Sequence, residues 1–360
     1  IRKEGAPKEP PGPEEGFLNA RSHFREASWE EAMSLATSRL KAIRDTRGLS
    51  ALAGLGSAKC SNEEGYLFQK LVRAVFGTNS VDHCTRLCHA SSVAALMETI
   101  GSGAVSNVFN DALEADVIVV AGSNPTENHP VAATVIKEAA KVGAALIVID
   151  PRRIDLCDYA DIFASFRPGT DVALFNGFLH AVIAEDLIDK NFVAQRTEGF
   201  EALAAAVKPY TPATAAKITG VPAKTIREIA RRYATAKSAI VFWGMGLSQH
   251  TTGTDNCRAL IALCLVCGQI GRPGTGLHPF RGQNNVQGAS DAGVIPMVYP
   301  GYQSVTDPEV REKFEDAWGR PLDPEVGLTV VEIINAAKAG RIRGMYIMGE
   351  NPAMSDPNLN

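Results

Sequence analysis

The chain lacks the long apolar runs that mark membrane-spanning segments. None of its 360 residues lies in a stretch that approaches the roughly 18 consecutive apolar residues needed to cross a bilayer. Its first residues contain no apolar segment of the kind found in secretory signals. Lysine and arginine are spread without long basic runs, and the formal net charge is -4. We therefore expect no membrane span and no nucleic-acid partner.

A cysteine pattern that could hold an iron–sulfur cluster is also missing. The seven cysteines are an odd number, and their spacings fit neither a disulfide framework nor the pattern that holds a [4Fe–4S] cluster. The odd count favours a reducing, cytoplasmic environment. Neither the glycine pattern of an NAD site nor a P-loop occurs.

Apolar runs of strand length alternate with helical patterns along the chain. Residues 115–120, 145–149 and 238–243 are continuous apolar runs, which indicate strands buried on both faces. A helix is predicted over 131–141, so that the first two strands form a right-handed βαβ unit. A short apolar strand is also predicted over 49–55, and a helix over 90–100. The sequence therefore predicts an α/β fold of mostly parallel, three-layer αβα sheets. At ~150 residues per domain, the length indicates about two domains.

Helix starts are marked by three capping-box patterns. They are Ser28-x-x-Glu31, Ser61-x-x-Glu64 and Thr329-x-x-Glu332. The segment 254–268 is apolar over most of its surface and is predicted as a buried helix, in which Cys264 and Cys267 pack. Residues 1–27 are rich in proline, glutamate and glycine and are expected to wrap a surface. Because the chain begins with Ile and stops just after a strand-and-turn pattern, we expect it to be part of a longer polypeptide.

Polar turns follow the predicted strands, where ligands of such sheets bind. Gly122 lets the backbone approach a phosphate, and Asn124 can hydrogen-bond to a ligand. Asp150 suits a ribose or a guanidine-like edge, and Arg152 suits a phosphate. Asp171 lies at a helix start, where it is either a ligand contact or only an N-cap. The motif Gly122-Ser123-Asn124-Pro125 returns as Gly349-Glu350-Asn351-Pro352, which indicates two related nucleotide-binding halves, although turn chemistry alone also accounts for it.

The most reactive stretch contains Cys88 and His89. A thiolate is a soft ligand for a metal that carries sulfur donors, and an imidazole beside it can receive a proton. Simple packing of the cysteine is an alternative, because cysteine is often buried as a small apolar residue. A zinc site is a second alternative, although four ligands so close in sequence would crowd a tetrahedral ion. Its ligands would be His83, Cys84, Cys88 and His89.

A second polar stretch, Arg281-Gly-Gln-Asn-Asn-Val-Gln-Gly288, lies far downstream. The Arg281 guanidinium offers a bidentate fork for a carboxylate, whereas lysine would act only as a point charge. Amide side chains at 283, 284, 285 and 287 are costly to bury unless they are hydrogen-bonded. So dense an amide run predicts contact with a polar ligand.

These segments resemble the molybdopterin oxidoreductases of the DMSO reductase family. The resemblance covers nearly the whole chain. Within the family, the chain is most similar to the catalytic alpha subunit of the cysteine-containing, NAD-linked soluble formate dehydrogenases. The resemblance is carried by residues 84–94, 122–130, 150–153, 243–250, 281–293 and 348–352.

The resemblance implies a function for each segment. Cys88 would bind molybdenum or tungsten, His89 would handle the proton, and Arg281 would hold the formate carboxylate. Two molybdopterin guanine dinucleotides would complete the metal site. The expected dinucleotide contacts are Gly122, Asn124, Pro125, Asp150, Arg152, Gly169, Asp171, Gly244, Met245, Gly246, Gln249 and Gln283 for one half, and Gly349 and Asn351 for the other.

The resemblance also implies a layout of two pseudo-related lobes, as in domains 1–3 of the formate dehydrogenase and DMSO reductase fold. Residues 1–83 with 284–360 form one lobe, and 84–283 form an inserted Rossmann-like dinucleotide-binding lobe. The family's [4Fe–4S] domain and C-terminal domain lie outside this sequence. Electrons from formate oxidation to CO2 would leave through Fe–S clusters toward a flavin-containing diaphorase and NAD. Alternatives are a nitrate reductase-like enzyme and a cofactor-free scaffold with the same fold.

Overall fold

A computed structural model of the chain describes residues 1–6 and 22–356. It divides into two compact units, a first unit of 1–83 with 288–360 and a second unit of 84–287. The boundary predicted after residue 283 lies four residues before the observed one, after residue 287. Residues 7–21 of the predicted surface-wrapping segment lie outside the described residues.

The strands and helices of both units are as follows. The strands are β1 (Leu52–Gly56), β2 (Val81–His83), β3 (Val117–Ala121), β4 (Ala145–Ile149), β5 (Ile162–Ala164), β6 (Ala239–Trp243), β7 (Gly276–Pro279), β8 (Val298–Tyr299), β9 (Gln303–Ser304) and β10 (Gly344–Ile347). The helices are α1 (Trp29–Arg47), α2 (Asn62–Lys70), α3 (Thr85–Cys88), α4 (Ala90–Ile100), α5 (Pro125–Asn128), α6 (Pro130–Lys141), α7 (Asp171–Ala184), α8 (Lys190–Arg196), α9 (Phe200–Val207), α10 (Pro212–Thr219), α11 (Ala223–Thr235), α12 (Met245–Ser248), α13 (Gly253–Val266), α14 (Val286–Asp291), α15 (Pro308–Trp318), α16 (Val330–Lys338) and α17 (Pro352–Ser355).

The second unit is built on a parallel five-stranded sheet in the order β5-β4-β3-β6-β7. Alternate side chains of β3 enter two separate cores. Val117 and Val119 pack with helices α4, α7, α11 and α13, whereas Ile118 and Val120 pack with helix α6. The sheet is therefore covered on both faces, which confirms the predicted three-layer α/β architecture and explains why its strands are apolar throughout.

The first unit contains a smaller parallel sheet in the order β10-β1-β2. Strand β1 is fully buried because helix α2 and the π-helix Leu71–Phe76 cover it with Phe68 and Val72. The predicted strand over 49–55 begins only at Leu52, since Leu49–Ala51 is a 3₁₀ turn. Strands β8 and β9 form an antiparallel pair.

The capping patterns behave differently in the structure. Ser61 and Glu64 form a complete capping box at α2, and Thr329 and Glu332 form one at α16, as predicted. The remaining prediction, a capping box of Ser28 with Glu31, is wrong in part. Ser28 accepts from the Glu31 amide at 3.1 Å, but the Glu31 carboxylate pairs with Arg25 instead of returning to the cap. No helix in the described ranges is long and apolar enough to traverse a bilayer.

The repeated Gly-x-Asn-Pro motif has the same local structure in both units. Gly122 follows β3 with φ +56°, and Gly349 follows β10 closely with φ +74°. Asn124 (φ −111°, ψ 77°) and Asn351 (φ −134°, ψ 82°) each precede a short helix that starts with proline. Because backbone angles agree as well as residues, the motif is a repeated strand-to-helix connection.

Candidate functional site

The carboxyl ends of β3, β4 and β6 open into a cavity of about 330 Å³ within the second unit. This is the edge at which parallel α/β sheets bind ligands, and the volume lies in the range of ligand sites. The cavity is lined by Gly122, Ser123, Asn124, Asn128, His129, Asp150, Pro151, Arg152, Phe166, Pro168, Asp171, Gly244, Met245, Gly246 and His250.

Three glycines bring two of these strand ends into backbone contact. The Gly246 amide donates to the Gly122 carbonyl at 3.0 Å. A Cβ atom on Gly122 would lie 2.8 Å from the Gly246 carbonyl carbon, and one on Gly244 would lie 2.8 Å from the Gly122 oxygen. Only glycine fits so close an approach, which leaves a wall of exposed main chain suited to a phosphate.

The polar side chains of the cavity include acceptors that find no hydrogen-bond partner among the described residues, 1–6 and 22–356. They are Asn124 Oδ1 and both carboxylate oxygens of Asp171, in side chains that are 7% and 2% exposed. Burial raises the pKa of Asp171, although the His250 charge and the Gly169 amide oppose that rise. Thr170, not Asp171, is the N-cap of α7. The N-cap interpretation of Asp171 is therefore wrong, and a ligand contact is favoured, because buried acceptors normally have partners.

Asp150 and Arg152 form a turn beyond β4. The Arg152 amide donates to Asp150 Oδ1 at 2.8 Å. Burial raises the pKa of Asp150, and the Arg152 amide and charge oppose that rise. The exposed guanidinium of Arg152 gives this end of the cavity a positive charge.

Cys88 ends α3 in the same unit and is 8% exposed. Burial raises the pKa of its thiol, whereas a hydrogen bond from the Gly282 amide and the charge of Arg281 lower it. The Cys88 carbonyl accepts from the Ser248 hydroxyl at 2.7 Å. The structure thus brings the two sequence-distant stretches, at Cys88 and at Arg281, into contact.

His89 is fully buried and both of its ring nitrogens have partners. Nε2 lies against the Phe280 carbonyl, and Nδ1 lies 2.9 Å from the Ser92 hydroxyl. Trp243 Nε1 donates to the same hydroxyl at 2.9 Å. A carbonyl can only accept, so Nε2 carries the proton and Nδ1 accepts from Ser92. Burial, with the Arg281 charge, lowers the pKa of His89 to about 4, so the ring is neutral at pH 7.

Arg281 is partly buried and its guanidinium has partners. Nη2 donates to the Gly103 carbonyl at 3.0 Å and lies 3.4 Å from Gln287 Oε1. Its own carbonyl accepts from His129 Nε2 at 2.5 Å. The arginine is therefore fixed from both its main chain and its side chain.

Several predicted contact residues lie outside the cavity lining. Pro125 is buried at the start of α5, and Gly169 and Gln249 are exposed. Gln283 Oε1 accepts from the Cys84 thiol at 2.7 Å. The remaining two, Gly349 and Asn351, belong to the first unit.

Sequence reasoning did not single out two histidines that line the cavity. His129 donates to the Arg281 carbonyl, and His250 Nε2 lies 2.8 Å from the Gly246 carbonyl. Both follow a buried strand by a few residues, which is the signal that could have found them. The other lining residues that were missed are Ser123, Asn128, Pro151, Phe166 and Pro168.

The geometry contradicts the alternative of a zinc site at His83, Cys84, Cys88 and His89. His83 Nε2 pairs with Ser290, Cys84 donates to Gln283, and His89 is held by Ser92 and Phe280. Within residues 1–6 and 22–356, no three His, Cys, Asp or Glu side chains are arranged to hold a metal ion. Cys264 and Cys267 are buried as predicted, and burial raises the pKa of Cys264 to about 12.

Comparison with known proteins assigns the chain to a family. The model of the family described as molybdopterin oxidoreductase matches residues 14–360. The chain belongs to the molybdopterin oxidoreductase family. The family implies a molybdopterin cofactor.

Its similar relatives include formate dehydrogenases. The chain is 45% identical over 335 residues to formate dehydrogenase H of Escherichia coli (strain K12), covering 92% of this chain and 47% of that protein. It is 42% identical over 336 residues to the F420-dependent formate dehydrogenase 1 subunit alpha of Methanococcus maripaludis, covering 93% of this chain and 49% of that protein. The chain therefore spans about half the length of these relatives and is formate dehydrogenase-like.

A solved structure has a similar fold. Acetylene hydratase from Pelobacter acetylenicus matches 71% of this chain and 34% of its own chain, with a TM-score of 0.61 and 27% identity. This solved structure therefore shares the mixed α/β fold of the chain, with its mostly parallel sheets.

The cavity residues have the chemistry to hold the phosphate and polar edge of a molybdopterin cofactor. The glycine contacts at Gly122 and Gly246 offer main chain for phosphates, and Arg152 supplies a positive charge. Asn124 and Asp171 contribute acceptors that the described residues leave unpartnered. A base or pterin edge with several N–H donors would satisfy them.

Proposed function

We propose that the protein to which this chain belongs oxidises formate to CO2, with Cys88 as the protein ligand of a molybdenum or tungsten ion. Two molybdopterin guanine dinucleotides would supply the other sulfur ligands, and the metal centre would carry out the electron chemistry. The support for this proposal is the contact between the stretch at Cys88 and the stretch at Arg281, which lie far apart in the sequence. The Cys88 sulfur accepts a hydrogen bond from the Gly282 amide, and the neighbouring Arg281 places a positive charge close enough to lower the pKa of the thiol.

Arg281 is proposed to hold the formate carboxylate. A guanidinium can donate two parallel hydrogen bonds to a carboxylate, and the contact of Arg281 with the Gly103 carbonyl fixes the position of this one. Its fixed position would hold the formate carboxylate in one orientation. Orientation of this kind lowers the barrier because the reactants need not find each other in solution.

His89 is proposed to handle the proton released from formate. Its Nε2 proton is committed to the Phe280 carbonyl, so Nδ1 is the atom that can accept. Acceptance there requires the Ser92 hydroxyl, which lies 2.9 Å away, to rotate off the ring. Ser92 can do so because Trp243 anchors its oxygen.

One dinucleotide is proposed to bind the cavity of the second unit, where Gly122, Asn124, Asp150, Arg152 and Asp171 lie. Pro125, Gly169, Gln249 and Gln283 would contribute only from outside the present lining. The repeated turn of the first unit, with Gly349 and Asn351, is proposed for the other dinucleotide because its backbone matches that of Gly122 and Asn124.

The remaining parts of the reaction belong to the whole protein. We propose that electrons leave through [4Fe–4S] clusters of the complete subunit toward a flavin-containing diaphorase and NAD. The spacings of the seven cysteines in this chain do not fit a [4Fe–4S] cluster, so we propose that other segments of the subunit bind these clusters. The odd cysteine count favours a cytoplasmic location.

Metal analysis and turnover of the natural, full-length enzyme test the proposal. We expect molybdenum or tungsten to co-purify, formate to be oxidised and nitrate not to be reduced. Cys88→Ser should lower formate oxidation by more than about 100-fold, since changes to residues that only support a metal ligand already cost 10- to 100-fold. Cys264→Ser is the matched control, because that thiol is buried away from the cavity and donates to Gln269. Equal turnover in the two variants would remove Cys88 from the site.

A further inference from the structure

Two consecutive main-chain carbonyls, those of Phe280 and Arg281, each accept a hydrogen bond from a histidine ring. His89 Nε2 donates to the Phe280 oxygen, and His129 Nε2 donates to the Arg281 oxygen at 2.5 Å. The two imidazoles come from different loops of the second unit. The peptide groups on the two sides of Arg281 are thus each held at the carbonyl.

His129 itself is held firmly. Its amide donates to the Pro125 carbonyl at 2.9 Å, and its carbonyl accepts from Ala133 at 2.9 Å, so its backbone joins α5 to α6. Its ring stacks on Phe280 with centroids 4.6 Å apart and an interplanar angle of 22°. Backbone and ring are both fixed, which aims Nε2 at one acceptor.

The direction of the hydrogen bond defines the chemical form of His129. Because a carbonyl only accepts, Nε2 must carry a proton. His129 Nδ1 is buried and meets no hydrogen-bond donor in the part of the chain that the structure describes. The Nε2 atom of His129 is therefore the donor in this contact.

The segment that His129 holds carries two groups of the proposed chemistry. Gly282 donates its amide to the Cys88 sulfur, and Arg281 projects its guanidinium toward Gly103 and Gln287. A rotation of the peptide between Arg281 and Gly282 would move that carbonyl and the Gly282 N–H together, because both belong to one planar group. The contact at the carbonyl therefore controls the contact at the sulfur.

We propose that His129 is a positioning residue, which fixes Arg281 and the Gly282 amide by donating Nε2–H to the Arg281 carbonyl. The expected effect on formate binding rests on the proposed function. The effect on the peptide itself does not.

Two variants separate the hydrogen bond from the packing. His129→Phe keeps a flat ring against Phe280 and removes the donor, whereas His129→Gln keeps an N–H donor of similar reach. In the purified natural enzyme, hydrogen exchange of the amides in 280–287 should rise by about tenfold in His129→Phe, the size expected for loss of one hydrogen bond. His129→Gln should restore most of that protection. The formate KM should rise by about tenfold in the Phe variant with a smaller change in kcat, because binding is weakened in the ground state as well.

Three results would overturn the proposal. They are unchanged exchange in the Phe variant, equal effects of Phe and Gln, and an increase that extends equally to the strands β3 and β4. Should His129→Phe not fold, nitrogen NMR of the histidine-labelled wild type decides instead. A neutral ring protonated at Nε2 supports the proposal, and one protonated at Nδ1 overturns it. An enzyme that does not oxidise formate would end the proposed function and leave the exchange and NMR results to decide on His129.

Discussion

The amide of Gly282 hydrogen-bonds to the sulfur of Cys88, which lies far earlier in the chain. A Cβ on Gly282 would lie 3.5 Å from that sulfur and 2.5 Å from the end of Met245, which lines the cavity. The absence of a side chain at 282 therefore lets the main chain carry the hydrogen bond, so that Arg281 and the thiol come together beside one cavity.

Arg281→Lys should weaken formate turnover, because lysine replaces a planar fork by a point charge. A lost hydrogen bond to a charged group is worth about 1.5–3 kcal/mol, so kcat/KM should fall by roughly 10- to 100-fold. Steady-state kinetics with formate measures the effect. The control is Arg272→Lys, in which an arginine that donates to the Lys237 and Gly268 carbonyls changes in the same way. Unchanged kinetics in Arg281→Lys would separate this residue from the substrate.

The layered fold could be predicted because local sequence determines it. Strand β4, predicted over 145–149, occupies that range, and helix α4, predicted over 90–100, does also. Apolar runs such as Val117–Ala121 need two covered faces, whatever covers them. The polar turns after those strands were found for the same reason, since the carboxyl edge of a parallel sheet brings them together.

Contacts between distant loops could not be predicted. Whether an amide binds a ligand or a neighbour depends on packing far along the chain, and Gln283 accepts from Cys84 while Asn124 Oδ1 lacks a partner. The incomplete cap at Ser28 has a similar cause, because Arg25 takes the Glu31 carboxylate. His129 contacts a carbonyl on a segment more than a hundred residues away, and its sequence neighbours do not indicate that partner.

Gly122→Ala should destabilise the protein more than Gly169→Ala does. Both glycines have positive φ, +56° and +79°, so alanine at either costs about 1–2 kcal/mol. A Cβ at 122 would also meet the backbone of Gly246 at 2.8 Å, whereas nothing lies within 4 Å of one at 169. The additional clash should cost about 1–3 kcal/mol. Chemical denaturation measures both variants, and equal losses would contradict the close contact of the two strand ends.

Glu350→Gln should stabilise the protein at high pH only. Burial, with the charges of Asp356 and Asp82, raises the pKa of Glu350 from 4.5 to about 7. A carboxyl whose folded pKa is raised supports folding below its unfolded pKa, and that support is lost as pH rises from about 4.5 through 7. Allowing for partial exposure, the Gln variant should be more stable by about 1–2 kcal/mol at pH 8 and unchanged at pH 4. A gain of equal size at both pH values would show that ionisation is not the cause.

Arg73→Met should strongly destabilise the first unit, because this guanidinium is buried at 1% exposure and is held by neutral groups. It donates to the side chains of Gln69 and Asn79 and to three main-chain carbonyls, and burial lowers its pKa to about 10. The carbonyls belong to Gly293, Ile295 and Val298.

Methionine fills a similar volume but leaves those carbonyls without a donor. A buried ion pair can sometimes be replaced by apolar residues without loss, but the hydrogen-bond partners here are uncharged and stay behind unsatisfied. We expect a loss of at least about 3 kcal/mol, because each buried acceptor left without a donor costs about 1–3 kcal/mol. Denaturant unfolding measures the loss, and amide exchange in 293–298 should become faster. Arg341→Met, at an exposed position, should change stability by less than about 0.5 kcal/mol. If both variants unfold at the same denaturant concentration, the carbonyls near Gly293 do not depend on Arg73.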